Sequence, residues 1–249
     1  GTMIQKEKLQ EADFRAERFK DFHVDVKGNN DLLNLTQPDL IYRLHCEYLE
    51  AGANIIGTNT FNATSVAQDD YQLGDIIDEI NLEGAKLACK ARDDFNAKDP
   101  NNRRYVAGIL GPTPKTASIS PDVNDPAKRN ITYEQLVNAY TDAIHALLKG
   151  GVDLFLIETI FDTLNAKAAI FALLKVFEET GTRWPIMISV TFPDISGRVL
   201  SGQSPEAFYN AIAHAQPFIV GTNCGRAFPE IRPFVEELAN ASELSLIHI

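Results

Sequence analysis

Five apolar stretches of strand length recur along the chain, and each ends in small or polar residues. They are "ANIIGTNTF" (53–61), "YVAGILGPT" (105–113), "VDLFLIET" (152–159), "PIMISVTF" (185–192) and "PFIVGTNC" (217–224). Each is close to continuously apolar rather than alternating, which predicts strands covered on both faces, as in a parallel sheet. Helical patterns lie between them. "LTQPDLIYRLHCEYLEAG" predicts a helix capped by Thr36 with Asp39 three residues on, Pro38 in its first turn and a stop at Gly52. "ITYEQLVNAYTDAIHALLKGG" repeats that grammar with Thr132 and Gln135 and ends at Gly150-Gly151. "TLNAKAAIFALLKVFEETG", "SPEAFYNAIAHA" and "PEIRPFVEELANA" add three more. Residues 4–35 read as long and mixed, with "KGNNDLLNL" as loop leading into the first clear helix.

Alternating strands and helices imply right-handed crossovers and a parallel sheet. An open doubly wound sheet and a closed (β/α)8 barrel compete. No G-x-G-x-x-G and no Walker-type loop is present. Polar residues collect instead at the ends of all five runs: Asn59 and Thr60, Thr113, Glu158 and Thr159, Thr191, and Asn223 with Cys224. A barrel builds its site from the C-terminal ends of many strands. The expected fold is therefore an α/β (β/α)8 TIM barrel. Five strands are fewer than eight, so the barrel is expected to be incomplete, lacking its first strand and its last two.

Composition narrows the partners. The 249 residues are 45% hydrophobic and 23% charged, with a net charge of −11. That balance argues against a nucleic acid or an anionic membrane surface as partner. No apolar run approaches the roughly 18 residues of a membrane span. Three cysteines, at 46, 89 and 224, make no disulfide framework and fit a reducing cytoplasm. The tail "LSLIHI" (244–249) breaks the preceding helical pattern and coincides with the translation of a transposon-end sequencing adapter. Residues 1–241 are accordingly expected to form the partial barrel, and 242–249 a non-native tail, with a natural C-terminal strand as the alternative.

Few residues could carry chemistry. Cys46 and Cys89 sit in helical patterns and read as small buried hydrophobes. Cys224 stands at a strand mouth, where a structural and a functional role both remain open. A nucleophilic cysteine needs a histidine base, and none of His23, His45, His145, His214 and His248 follows a predicted strand. As a zinc ligand Cys224 would need at least two protein partners, and no C-x-x-C or H-E-x-x-H is present. Glu158 follows a strand that reads as fully buried. A carboxylate there calls for an ion pair within the protein or a cationic substrate group. Asp162 and Thr163 read as helix caps. Two polar connections, 110–132 with its four prolines and 197–208, would cover the barrel mouth.

Several of these stretches together are recognisable. "GTMIQ", "KGNNDLL", "AGANIIGTNTFNAT", "LGPTPKTASISPDVNDPAKRNIT", "DLFLIETIFDTLNAKAA", "SGRVLSGQSPEAFYNAI" and "GTNC" resemble the homocysteine-binding domain of cobalamin-dependent methionine synthase, from Gly1 to about Ala241. The resemblance implies a barrel with one zinc held by three cysteines. Cys224 matches the first, and the adjacent pair in a Gly-Gly-Cys-Cys-Gly motif would lie beyond the end of this chain. It implies that Glu158 binds the homocysteine ammonium and that Asn59 and Thr60 line the same pocket. The methyl donor would be methylcobalamin, recharged by 5-methyltetrahydrofolate, with cobalamin and folate on other domains of the same polypeptide. With a severed zinc site, the chain by itself would be inactive. Homocysteine methyltransferases using a betaine or sulfonium donor share the first-strand motifs and stay open as an alternative. So does a fragment with only a binding role. A Schiff-base lyase is disfavoured, because no lysine follows any of the five runs.

Overall fold

The computed structural model describes residues 1–242 and 244–248, the last four by backbone alone. The chain divides into two compact units, one of residues 1–109 and 142–154, the other of residues 110–141 and 155–249.

In the first unit the N-terminal stretch, which reads as mixed, carries short helices, the last of them starting within the segment expected as loop. It holds α1 (Thr2–Lys6), α2 (Glu11–Arg15) and α3 (Leu33–Thr36), followed by α4 (Pro38–Glu50). Gln10 and Asp13 form a reciprocal capping box at the start of α2. Thr36 does not cap α4. It closes α3, its hydroxyl turned back to the Leu32 carbonyl at 3.4 Å, and the cap position falls to Gln37 with no side-chain bond. A second helix directly upstream thus took the hydroxyl that the sequence pattern assigned to the next one. Next come β1 (Ile55–Gly57), α5 (Ser65–Gln68), α6 (Ile77–Lys98) and β2 (Tyr105–Leu110). β1 pairs with β2 in parallel, Ile56 opposite Val106. The later turns of α7 (Tyr133–Gly150) complete this unit. Gly150 lies so close to α6 that a Cβ would stand 2.3 Å from that of Ala85, which explains the glycine there. Phe14, Leu32, Leu33, Ile41, Leu44 and Ile80 share the unit's apolar core.

In the second unit α7 opens with the expected box: Gln135 N–H donates to Thr132 Oγ1 at 3.1 Å, and Thr132 N–H donates to Gln135 Oε1 at 2.9 Å. There follow β3 (Leu154–Ile160), α8 (Thr163–Thr180), β4 (Ile186–Val190), α9 (Pro205–Ile212), β5 (Ile219–Thr222), α10 (Phe228–Ala241) and β6 (Ser245–His248). β3, β4, β5 and β6 pair in that order, all parallel. Every residue of β4 is buried, as a strand covered on both faces requires. Ala166, Ala168, Ala169 and Ala172 are buried on α8. Phe177 at its far end stacks between Phe155 and Trp184, at 6.3 and 5.6 Å.

All five expected strands therefore form, in parallel pairs within their units. Among the described residues no helix is long and apolar enough to cross a membrane.

Candidate active site

The chemistry-bearing residues of the second unit meet where β3 and β5 end. β3 does not finish as a regular strand. Its register against β4 shifts between Ile157 and Ile160, and Thr159 takes a left-handed backbone conformation with φ of 56°. A β-branched residue rarely sits there. A bulge of this kind re-aims side chains. β5 ends in a second left-handed turn, Cys224 at φ 58° followed by Gly225 at φ 73°. Only glycine fits the second position, since a Cβ would come within 2.6 Å of the Phe192 carbonyl oxygen.

One buried amide joins the two ends. Asn223, 2% exposed, donates from Nδ2 to Thr159 Oγ1 at 2.7 Å and to Glu158 Oε2 at 3.0 Å. The same nitrogen lies 3.5 Å from Cys224 Sγ. Asn223 Oδ1 accepts from Ser189 Oγ at 2.8 Å and from the Thr159 N–H at 3.1 Å. Ser189 is itself fully buried on β4, so the cluster ties together three consecutive strands. Burial raises the Glu158 carboxyl above its ordinary value, and the Thr159 hydroxyl partly offsets this. A cavity of about 10 Å³, room for about one water, lies beside it among Gly111, Pro112, Tyr140, Asp162 and Asn165.

Asp162 caps α8, accepting from the Leu164 N–H at 2.8 Å and from the Asn165 N–H at 3.4 Å. It also anchors the long connection after β2. The Ser118 N–H donates to Asp162 Oδ2 at 3.1 Å, and the Ser118 hydroxyl bonds the other oxygen. Asn165 holds the same segment through Thr113 Oγ1, the Lys115 carbonyl and the Ala117 N–H. The proline-rich stretch is thus strapped across the start of α8.

Asn59 and Thr60 belong to the first unit. Asn59 Nδ2 donates to the Asn30 carbonyl at 2.7 Å and to Asn34 Oδ1 at 3.1 Å. Thr60 is 2% exposed, and its hydroxyl donates to the Ile109 carbonyl at 3.0 Å. Both side chains fasten the end of β1 to its surroundings.

The cysteines separate as their patterns suggest. Cys89 is buried with its thiol on the Gly151 carbonyl at 3.2 Å, and burial pushes its pKa to about 11. Cys46 is half-buried and Cys224 exposed. Sequence reasoning placed Asn223 only as a strand-end polar residue and passed over Ser189. The one available signal was an asparagine directly before the mouth cysteine.

Residues 1–248 match the model of the homocysteine S-methyltransferase family. The chain belongs to that family. Its fold is shared with a homocysteine methyltransferase, MmuM, from Escherichia coli. The metallated form aligns with a TM-score of 0.76 at 21% identity, over 99% of this chain and 79% of that one. The oxidised form gives 0.75 at 21% identity, over 99% and 78%. The apo form gives 0.66 at 22% identity, over 89% and 74%. Membership assigns methyl transfer to the homocysteine sulfur as the family's chemistry. A zinc held by protein thiolates needs at least three protein ligands. Among the described residues no group of three His, Cys, Asp or Glu side chains could hold a metal ion. Cys224 alone therefore does not make a zinc site.

Proposed function

We propose that this chain is the homocysteine-binding part of a methionine synthase, with methylcobalamin as the methyl donor. The observation that carries the reading is the Glu158–Asn223–Cys224 cluster, a half-buried carboxylate and an exposed thiol tied to one amide at a single strand rim. Glu158 would receive the substrate ammonium. Its burial raises the free energy of the ionised form, and an incoming ammonium would offset that cost. Asn59 and Thr60 would hold the end of β1 in shape within the first unit. The strapped connection after β2 would limit water at the mouth.

In the transfer itself the homocysteine thiol gives up its proton, and the sulfur forms a bond to the methyl carbon. The bond from that carbon to the donor breaks, and its electron pair leaves with the donor. A free thiol with a pKa near 8.5 is only about 3% ionised at pH 7, so the sulfur needs activation. Cys224 would contribute one thiolate to a metal that would do this. The described residues bring no second and third ligand to it. Cobalamin and folate would be carried by other domains of the same polypeptide.

Calorimetric titration of the chain with L-homocysteine, beside Glu158→Gln, tests the reading. Binding that falls about tenfold or more in the variant, the worth of a charge-assisted hydrogen bond, supports it. Binding indifferent to Glu158 refutes it. Methyl transfer from a sulfonium or betaine donor, and none from methylcobalamin, would move the chain to another branch of the family.

A further inference from the structure

We infer that Asn223 is a positioning residue, whose amide holds the β3 bulge and thereby aims the Glu158 carboxylate at the ammonium group of the substrate. The inference rests on the homocysteine reading above and adds a residue to it.

The geometry carries it in three steps. In a regular strand, consecutive side chains point to opposite faces. Glu158 Oε2 and Thr159 Oγ1 are consecutive, yet both meet the same nitrogen, at 3.0 and 2.7 Å. That convergence requires the bulge and the left-handed Thr159. Next, a left-handed threonine is costly and persists only when its surroundings over-determine it. Asn223 does so from both ends of its amide. Oδ1 takes the Thr159 N–H at 3.1 Å, and Nδ2 gives a hydrogen to the Thr159 hydroxyl. The orientation of the amide is fixed by the Thr159 N–H, which can only donate, so a flipped amide would set donor against donor.

Finally, Nδ2 has two hydrogens and three acceptors around it. The two shorter contacts, to Thr159 and Glu158, take them, and Cys224 Sγ at 3.5 Å receives at most a shared one. One oxygen of Glu158 is thereby held against β5. Among the described residues nothing bonds the other oxygen, Oε1, which is left for a ligand cation. Removing Asn223 would release both the bulge and the carboxylate.

The test compares two ligands on the full chain: L-homocysteine, and 4-mercaptobutanoate, which is the same molecule without its amino group. Affinities are measured for the wild type and for Asn223→Ala. The wild type is expected to prefer L-homocysteine by about tenfold or more, as one charge-assisted hydrogen bond implies. In Asn223→Ala that preference is expected to shrink towards one, with binding of 4-mercaptobutanoate unchanged. A purely structural role would weaken both ligands together and keep the ratio, and that result overturns the inference. A wild type that binds L-homocysteine no better than its deaminated analogue refutes the homocysteine reading instead. Should Asn223→Ala not fold by circular dichroism, Asn223→Asp is read in the same way. It keeps the acceptor for Thr159 and Ser189 but sets an oxygen against Glu158.

Discussion

Asn223 and Glu158 stand 65 residues apart in the chain, and Nδ2 of the one lies 3.0 Å from Oε2 of the other. This bond crosses from the end of β5 to the end of β3, over a β4 residue, Ser189, that holds the other end of the same amide. The consequence is a carboxylate fixed in direction, although it sits just where its strand becomes irregular. Left-handed backbone flanks this bond on both strands, and a pair of positive-φ glycines separates conformational cost from steric cost.

Gly225 and Gly202 supply that pair. Both have positive φ, at 73° and 97°. A Cβ on Gly202 would meet nothing within 4 Å, whereas on Gly225 it would press on Phe192 O at 2.6 Å and Thr191 Oγ1 at 3.1 Å. Gly202→Ala is expected to cost about 1–2 kcal/mol, the penalty of the left-handed region alone. Gly225→Ala is expected to cost a further 1–3 kcal/mol or so for the displaced backbone. Urea unfolding of both variants checks this. Equal losses would mean that the turn after Cys224 relaxes freely.

How much of this was legible in the sequence follows from which interactions are local. The strands could be read because each apolar run is covered on both faces and each ends in polar residues. The Thr132–Gln135 box and the Asp162 cap were legible because their partners lie within three residues. Thr36 misled because its hydroxyl had a competing carbonyl, that of Leu32, in a short helix that the mixed N-terminal pattern concealed. The left-handed Thr159 could not have been read at all. Threonine favours extended backbone, and what overrides that preference is Asn223, 64 residues later. Glu158 was legible as a carboxylate at a strand end, but the direction in which it points is tertiary information.

Asp162 serves two structures with one carboxylate, the N-terminus of α8 and the Ser118 end of the strap. Asp162→Ala is expected to cost about 1–2 kcal/mol through the lost cap. It should also speed tryptic cleavage at Lys128 and Arg129, since Arg129 is bonded to the Ala117 carbonyl at 3.0 Å, beside Ser118. Ser118→Ala, which leaves the cap intact, should raise cleavage with little loss of stability. If Asp162→Ala is digested no faster than the wild type, the strap is held by Asn165 alone.

Two buried groups in the first unit should make opposite contributions to stability in acid. Asp31, 2% exposed, has its carboxyl raised from 3.8 to about 6 by burial, against the Asn62 N–H that lowers it. The fold therefore binds its proton more tightly than the unfolded chain does. Its contribution is full below pH 3.8 and is lost as pH rises to 6, about 3 kcal/mol in all. His45, 8% exposed with Nε2 unpaired, is lowered by burial from 6.5 to about 4. Its neutral form suits the fold, so its contribution is full above pH 6.5 and is lost as pH falls to 4, again about 3 kcal/mol. The two slopes nearly cancel between pH 4 and 6. Asp31→Asn should then be destabilised on acidification across that window relative to wild type, and His45→Leu stabilised. Denaturant titrations at pH 4.5 and 6.5 read both. Parallel pH profiles in all three proteins would show that neither group titrates in the fold.

The exposed thiol of Cys224 yields the last expectation. Zinc bound by one thiolate and water alone is weak, because the affinity of a thiolate site comes from several anionic ligands held at about 2.3 Å in tetrahedral array. Cys46 and Cys89 lie in α4 and α6, in the first unit, and Cys89 is already bonded within it. The described residues bring together no set of three ligands. The purified 249-residue chain is therefore expected to carry well under one zinc by elemental analysis, with no difference in Cys224→Ser. Homocysteine affinity that depends on Glu158 but not on added zinc would agree, since the ammonium site needs no metal to form. One full equivalent of zinc, lost in Cys224→Ser, would mean that ligands within this chain gather around the thiol when the metal binds, and that the rim of β5 moves to admit them.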